Sequence, residues 1–381
     1  MAQKTLEISA GAGRYLLTLQ DRDALREAAS AWNRCVVTPH DLAPSRGPTH
    51  VTSGASTCGD LVDASGQPRP GRSDSEVGAV TSAAIDAGIG HKIMFHAAGL
   101  SDPVTHRTVA LVAPSGTGKT TAVATLGQQF GYVTDETVII DPQTLAITPF
   151  PKPLSVLGPS GQRPKALFSP DELGLLSTPM QPYLGAVVIL ARDPDHHDHP
   201  HLERLPLADA LGHLLPQSSS LAALDRGLLD LARVLDQVGG CHILRYREIE
   251  TVGPLLKNLL AAPPQAHTPN WAAVNLPTSD ESAQQPADSA DLAQSVIRRA
   301  PADDALLLPN HCLAVLSGTS FMLLQGLGPV IWETLVVPMP LDALVAQMVQ
   351  QPHAPEDAEQ VVRTAVDHLV ERGVLIRSSG Q

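Results

Sequence analysis

The sequence has few aromatic residues, few cysteines and no long hydrophobic run, and each scarcity excludes a class of protein. Phe, Trp and Tyr make up 3% of the 381 residues, so any core must be built mainly from aliphatic side chains. The cysteines lie far apart with no C-x-x-C pair, at Cys35, Cys58, Cys241 and Cys312. That spacing fits neither a zinc site nor a disulfide scaffold and favours a reducing compartment.

Basic residues are also scarce. Lys and Arg number 26 against 39 Asp and Glu, which gives a formal net charge of −13. This balance disfavours general binding to nucleic acid or to an anionic membrane, because both need clustered cations. The first residues, MAQKTLEISA, lack the apolar core of a signal peptide. Aliphatic stretches such as 186–191 are far shorter than the roughly 20 residues of a membrane span. We therefore expect a soluble cytoplasmic protein.

Composition divides the chain into four segments. Residues 1–80 form an N-terminal region of unclear role. Residues 81–260 alternate apolar runs with helical patterns, which is typical of a layered α/β core. Residues 261–295 are rich in Pro, Ala, Ser and Gln and contain no Lys or Arg. They cannot bury enough apolar surface to offset the entropy of ordering, so we expect a flexible linker.

Regular periodicity returns in residues 296–377. A hairpin around Ser317–Gly318, helical patterns and a terminal strand at 374–377 predict a small winged-helix α+β domain. Winged helices can bind DNA, but this segment holds five Arg and no Lys against nine Asp and Glu, a net charge of −4. An acidic domain cannot supply the phosphate contacts that dominate DNA affinity.

The segment APSGTGKTT nearly matches the phosphate-binding loop G-x-x-x-x-G-K-[ST], with Ala113 in place of the first glycine. It lies between a predicted buried strand at 108–113 and a predicted helix at 119–129, which is where this motif works. Backbone N–H groups would bind phosphate, Lys119 would reach the outer phosphates of ATP, and the Thr120 hydroxyl would coordinate Mg²⁺. The candidate nucleotide-binding residues are Pro114, Ser115, Gly116, Thr117, Gly118, Lys119, Thr120 and Thr121.

Two adjacent acids follow the next predicted strand. In GYVTDETVIID, the strand at 132–134 would deliver Asp135 and Glu136 close to the loop. A carboxylate there can hold Mg²⁺ or accept a proton from a hydroxyl acceptor. Glu136 alone could instead be a solvated turn residue. Upstream, IMFHAAGL places His96 at the end of an apolar run, where a packed structural histidine is the alternative.

Other polar residues are weaker candidates. Lys152, Arg163 and Arg192 could contact a transferring phosphate, or each could be a solvated surface residue. Asp193 could be mistaken for the metal-holding acid of ordinary phosphate-loop NTPases, but Asp135 is the preferred candidate. A run of four histidines suits a metal by residue type, but it lacks the helical spacing that would fix its geometry. We interpret it as a solvated loop at His196, His197, His199 and His201.

The order of these motifs resembles a known family. FHAAGL, VALVAPSGTGKTT, FGYVTDETVIID and PFPKPLSV together resemble the catalytic domain of HPr kinase/phosphorylase, over roughly residues 80–255. The resemblance implies an α/β phosphate-loop core related to phosphoenolpyruvate carboxykinase, with ATP and Mg²⁺ as ligands. It implies catalytic roles for His96, Lys119 and Asp135. It also implies a metal contact at Glu136, beside Thr120.

A second resemblance covers residues 296–377. VIRRAP, LAVLSG, LLQGLGPVIWETL, LDALVAQM and VVRTAVDHLVERGVL resemble PqqD, the recognition element of ribosomally made, modified peptides. It implies that the leader of a precursor peptide binds there as an added strand. Other peptide-modifying enzymes are further partners that it suggests. Trp332 is expected in the core rather than at the peptide.

Together these patterns predict an ATP- and Mg²⁺-dependent kinase that phosphorylates a hydroxyl group, with a Ser/Thr-type acceptor on a peptide. Two alternatives remain from the residues alone. One is a kinase acting on a small molecule or a protein, and the other is a non-catalytic nucleotide-binding escort of a peptide. The patterns leave homo-oligomerisation open.

Overall fold

The computed structural model describes most of the chain in two compact units. The described residues are 4–11, 13–19, 22–36, 49–51, 74–157, 165–264, 269–276, 295–350 and 357–378. The first unit comprises Met1–Leu224 and Asp230–His267, and the second comprises Asp225–Leu229 and Thr268–Gln381.

The first unit begins with a small sheet and two helices. These elements are β1 (Lys4–Ala10), β2 (Gly13–Leu19), α1 (Arg22–Ala31), β3 (Thr49–Val51) and α2 (Asp74–Asp86). Strand β2 pairs with β1 in the antiparallel direction and with β3 in the parallel direction. The buried side chains of this layer form one hydrophobic cluster that also includes Phe150 and Leu167. The N-terminal region therefore shares a core with the residues that follow it and is part of the first unit.

Strands β4 to β14 build the rest of the first unit. They are β4 (Ile93–Ser101), β5 (Arg107–Val112), β6 (Gly131–Thr134), β7 (Thr137–Ile140), β8 (Ile147–Thr148), β9 (Leu154–Leu157), β10 (Lys165–Phe168), β11 (Tyr183–Arg192), β12 (His201–Leu205), β13 (Ser218–Ser219) and β14 (Cys241–Tyr246). Nine of them form a mixed sheet whose main order is β12-β14-β11-β5-β4-β7-β8, with β6 and β13 also paired to β4. Strands β9 and β10 form a separate antiparallel pair.

The centre of the mixed sheet positions the phosphate-loop motif. Strands β5 and β11 run parallel, and both are almost continuously apolar and buried, which is typical of strands covered on both faces. Their carboxyl ends therefore lie at the same edge of the sheet. The chain leaves β5 at that edge through residues 113–118. The helices of this part of the chain are α3 (Lys119–Leu126), α4 (Leu207–Leu214), α5 (Gly227–Gln237) and α6 (Gly253–Ala261).

The second unit contains two small sheets and three helices in its described residues. Its elements are β15 (Ala272–Ala273), β16 (Val296–Arg299), β17 (Asp304–Leu308), β18 (Cys312–Ser317), β19 (Ser320–Leu324), α7 (Gly328–Thr334), β20 (Met339–Pro340), α8 (Leu341–Val349), α9 (Ala358–Glu371) and β21 (Leu375–Ser378). The sheet orders are β15-β17-β18-β19 and β20-β16-β21. Trp332 is 1% exposed in the core of this unit, as the sequence predicts.

The expected mixed α/β class is confirmed for the first unit by its multistranded sheet. The predicted strands and helix around the phosphate-loop motif are present as β5, α3 and β6, and α3 ends before the predicted residue 129. Described residues of the segment 261–295, which was predicted to be a flexible linker, pack on the second unit, because β15 pairs with β17 and Val274 and Leu276 contact the core of that unit. Residues 265–268 and 277–294 of the segment lie outside the described part. No helix in the described part is both long and apolar enough to cross a bilayer.

Candidate functional site

The loop between β5 and α3 has glycine at the two positions that require it. Gly116 and Gly118 have backbone φ angles of 83° and 97°. Residues other than glycine rarely adopt this conformation. A Cβ at either position would meet nothing within 4 Å, so both face open space. Ala113 is not among the residues with positive φ, and its side chain is buried in the core beneath the loop. The alanine therefore causes no backbone strain in the loop.

The backbone of the loop is available to an anion. From Ser115 to Thr121, no backbone N–H group donates a hydrogen bond to another described residue. The last of these groups begin α3, where the helix dipole adds partial positive charge. Ser115 and Thr117 are exposed. Unpaired N–H groups at a helix N-terminus form a binding site for phosphate or another anion.

The ammonium group of Lys119 is held over the first residues of the loop. Its Nζ donates to the carbonyl oxygens of Ala113 at 2.5 Å and Pro114 at 2.9 Å. The Thr117 hydroxyl also donates to Pro114 O, at 2.6 Å. Burial lowers the pKa of Lys119 to about 8, although the carboxylates of Asp135 and Glu136 oppose that shift.

Asp135 lies beside the start of α3. The Thr120 hydroxyl donates to Asp135 Oδ2 at 3.1 Å, and the Tyr132 hydroxyl lies 3.2 Å from Oδ1. The strand register explains this proximity. Ala97 of β4 is opposite Val112 at the end of β5, and its N–H donates to Glu136 O on the other side of β4. The acid pair is therefore one strand away from the point where the loop begins.

A buried lysine joins the two acids. Lys152 Nζ lies 2.9 Å from Asp135 Oδ1 and 3.0 Å from Glu136 Oε2. Burial opposes the charge on this ammonium, but the two carboxylates outweigh burial and raise the pKa of Lys152 above its ordinary value. Thr81 of α2 also donates to Glu136 Oε2, at 3.3 Å. Lys152 is therefore a buried partner of the two acids and not the solvated surface residue that the sequence left as an alternative.

His96 lies in the same neighbourhood. It is opposite Thr137 in the pairing of β4 with β7, and it is half-buried. Burial lowers its pKa, and the positive charge of Lys119 adds to that effect, while Glu136 and Asp135 oppose it. The imidazole is therefore neutral at neutral pH. The structure brings His96 together with Lys119, Thr120 and both acids.

Several other candidates lie elsewhere or serve other contacts. Arg192 is exposed, and its guanidinium contacts Arg247 O and Glu248. Arg163 lies outside the described residues. The four histidines do not form a metal site, because no group of three or more His, Cys, Asp or Glu in the described part is placed to hold a metal ion. The rings of His196 and His201 instead contact each other at a tilt of 39°, with centroids 5.4 Å apart.

Sequence patterns missed two residues that contact the acids. Tyr132 donates to Lys152 O at 2.9 Å as well as reaching Asp135, and burial raises its pKa well above the ordinary value. The sequence feature that could have identified Tyr132 is its position on a short strand, three residues before Asp135. No sequence feature could have identified Thr81, because its contact with Glu136 joins positions 55 residues apart.

The donor set fits a divalent cation that is shared with a phosphate. The Thr120 hydroxyl and the Glu136 carboxylate supply oxygen ligands, which Mg²⁺ prefers. Two such groups do not complete an octahedral shell, so phosphate oxygens and water would have to supply the rest. Lys152 already neutralises part of the charge on the two acids. The residues therefore fit Mg²⁺ delivered with a nucleotide better than Mg²⁺ alone.

Comparison with known proteins adds one distant structural likeness. No known protein family and no curated protein matches the sequence. One solved structure that it resembles is the Hpr(Ser) kinase/phosphatase from Coxiella burnetii, at 12% identity, covering 44% of this chain and 93% of that protein. The TM-score is 0.26. A likeness this weak carries no functional assignment, so function must be inferred from the arrangement of side chains.

Proposed function

We propose that the chain is an ATP- and Mg²⁺-dependent kinase that phosphorylates a hydroxyl group of a ribosomally made peptide. The observation that carries the proposal is the hydrogen bond from Thr120 to Asp135. It places a carboxylate directly beside the helix N-terminus of a phosphate-binding loop. An anion site with an adjacent base is the minimum that phosphoryl transfer to a hydroxyl requires.

Each residue of the site has a separate task in this reaction. The N–H groups of the loop and the Lys119 ammonium bind the phosphate oxygens, and Asp135 accepts the proton of the acceptor hydroxyl. Thr120 and Glu136 would hold Mg²⁺, which neutralises charge on the phosphates when bound. Lys152 acts as a positioning residue, because it fixes the carboxylate of Asp135 through an ion pair.

His96 is assigned a catalytic contact on the acceptor side. Its neutral imidazole can accept or donate a hydrogen bond without adding charge near Lys119. Its strand position supports this assignment, because His96 is opposite Thr137, the residue that follows Glu136, in the pairing of β4 with β7.

The second unit is assigned the leader peptide. Among the described strands, β19 pairs only with β18, so one edge of β19 is open to an added strand. Phe321, Met322 and Leu323 on this strand are half-buried, which leaves apolar surface for side chains of a bound peptide. The net negative charge of residues 296–377 favours a peptide ligand over DNA.

The direct test is phosphate transfer to a precursor peptide. The full chain is incubated with Mg–ATP and a precursor encoded beside its gene, and the same peptide without its leader serves as the matched control. We expect a mass gain of one phosphoryl group, with the KM raised at least about tenfold when the leader is removed.

Other results would contradict parts of the proposal. Equal KM values with and without the leader would indicate that the second unit does not deliver the peptide. Mg–ATP binding without transfer to any encoded peptide would favour one of the two alternatives, the non-catalytic escort or a kinase for a small molecule or a protein. Failure to bind Mg–ATP would overturn the proposal as a whole.

Nucleotide affinity is expected to fall at alkaline pH. The pKa of Lys119 is lowered to about 8 in the ligand-free protein, so its ammonium is charged below that pH and progressively neutral above it. The dissociation constant of ATP should therefore rise by up to about tenfold per pH unit above pH 8. Titration calorimetry across this range measures it. Lys119→Arg is the control, because a guanidinium stays charged. A flat wild-type profile would contradict the assignment of Lys119 to phosphate.

A further inference from the structure

The ammonium group of Lys152 fills the space between the two acids of the site. Its Nζ lies 2.9 Å from Asp135 Oδ1 and 3.0 Å from Glu136 Oε2. It also donates to the carbonyl oxygen of Pro153 at 3.3 Å. An ammonium group has three N–H donors, and these three acceptors use all of them. The Lys152 side chain therefore has no donor left for a phosphate oxygen.

The surroundings of Lys152 keep the ammonium in this position. Its side chain is buried, and a buried ammonium that left two carboxylates would lose their charge without a compensating partner. The Tyr132 hydroxyl donates to the backbone oxygen of Lys152 at 2.9 Å. Pro151 and Pro153, on either side, each have a backbone φ angle that is fixed by the proline ring. The ammonium is therefore a fixed cation of the site.

Each acid gives one carboxylate oxygen to Lys152. Asp135 Oδ1 faces Lys152, while Oδ2 accepts from the Thr120 hydroxyl at 3.1 Å. In Glu136, the contacts of Lys152 and Thr81 both go to Oε2. Oε1 is then the oxygen of Glu136 that can reach Mg²⁺ beside Thr120. The contacts with Lys152 therefore leave one oxygen of each acid for other partners.

The ammonium occupies the place that a second, bridging cation would take. A Mg²⁺ ion shared by Asp135 Oδ1 and Glu136 Oε2 would have to lie about 2.0–2.1 Å from both oxygens. Since Lys152 Nζ already contacts these two oxygens, the ion and the ammonium would overlap. The positive charge of the ammonium also repels a divalent cation at such a short distance. Lys152 and a metal ion therefore exclude each other between the acids.

The side chains of the site already supply part of the charge that a second metal ion would bring. Some phosphoryl-transfer enzymes neutralise the phosphates with two metal ions, which lie about 3.5–4 Å apart. Here Lys152 cancels one of the two negative charges of the acid pair. The ammonium of Lys119 adds a second fixed positive charge at the loop. One divalent cation shared with the nucleotide then leaves less charge uncompensated than it would without Lys152.

We infer that Lys152 takes the place of a second metal ion and restricts the site to a single Mg²⁺, the one that arrives with the nucleotide. The inference rests on the kinase function proposed above and goes beyond it, because it assigns the metal stoichiometry to one residue. A neutral side chain of similar length at position 152 should open a second divalent site between Asp135 and Glu136. Lys152→Met makes that change.

Manganese is the probe, because Mn²⁺ binds the same oxygen ligands as Mg²⁺ and gives an electron paramagnetic resonance signal. The full chain is held in excess over the non-hydrolysable nucleotide AMP-PNP, and Mn²⁺ is titrated with and without the nucleotide. We expect one Mn²⁺ per bound nucleotide in the wild-type chain, with the spectrum of an isolated ion. Lys152→Met should bind two, with the spectrum of a coupled pair, because the ions would lie about 4 Å apart.

Two further variants serve as controls. Lys92→Met removes an ammonium from the more exposed pair with Asp141, and it should still bind one Mn²⁺ per nucleotide. The double variant Lys152→Met/Asp135→Asn lacks a carboxylate that the second ion would need, so it should also bind one. Two ions in either control would place the second ion away from the acid pair and contradict the inference.

The wild-type count decides the inference even if Lys152→Met does not fold. One isolated ion per nucleotide supports it, and a coupled pair in the wild-type chain would overturn it. A folded Lys152→Met chain that binds a single ion would overturn it as well. A wild-type chain that binds neither AMP-PNP nor Mn²⁺ would overturn the proposed function instead.

Discussion

Replacing Asp135 with asparagine is expected to lower the rate of phosphoryl transfer by about 10³-fold, within the range measured for loss of a general base. The amide keeps the shape of the side chain and can still accept from Thr120 or Tyr132, but it cannot take a proton from the acceptor. Lys152 retains Glu136 as an ion-pair partner at 3.0 Å, so the fold should persist. The loss should therefore appear in kcat, with little change in Mg–ATP affinity.

Asp193→Asn is the matched control for that experiment. Asp193 follows β11, the strand next to β5, where ordinary phosphate-loop NTPases would place their metal-holding acid. Here it is exposed, and its Oδ1 accepts from the backbone N–H of Asp195 at 2.9 Å. We expect its kcat to stay near the wild-type value. If Asp193→Asn abolished transfer while Asp135→Asn did not, the acid would be on the β11 side of the loop and the proposed site would be wrong.

The sequence predicted those parts of the site that lie close together along the chain. Strand, loop and helix around APSGTGKTT could be read from local patterns, because a buried apolar run, a glycine turn and a helix start each have their own signature. The position of Asp135 near the loop could also be predicted from the sequence, since a short strand after the helix returns the chain to the sheet edge. The structure adds the hydrogen bond from Thr120 that no spacing rule supplies.

The contacts that the sequence could not predict join distant segments. From the sequence, Lys152 could be a phosphate contact or, equally, a surface lysine in a proline-rich turn. No neighbouring residue in the sequence indicates that its ammonium is buried between two carboxylates. Its environment depends on the N-terminal layer, whose hydrophobic cluster includes Phe150, two residues before it.

Lys152→Met is expected to destabilise the first unit by about 3–5 kcal/mol, the cost typical of removing one partner from a buried ion pair. The Lys152 and Asp135 side chains are 4% and 3% exposed. The variant would therefore leave Asp135 and Glu136 without their ion-pair partner, and the more distant Lys119 ammonium would balance their charge only in part. Urea unfolding of the full chain, monitored separately for each unit, gives the free energy of unfolding. Lys92→Met is the control, since Lys92 and Asp141 pair at 2.7 Å but are 25% and 28% exposed, and such pairs contribute about 1 kcal/mol or less.

Two further measurements link that destabilisation to the acid pair itself. The double variant Lys152→Met/Asp135→Asn should regain much of the lost stability, because it leaves one unpaired carboxylate instead of two. Millimolar Mg²⁺ should stabilise Lys152→Met more than wild type, because the cation can then bind carboxylates that no longer face an ammonium. If Lys152→Met costs no more than Lys92→Met and does not respond to Mg²⁺, the ammonium does not hold the acids in place. Asp135 would then need another group to position it for proton transfer.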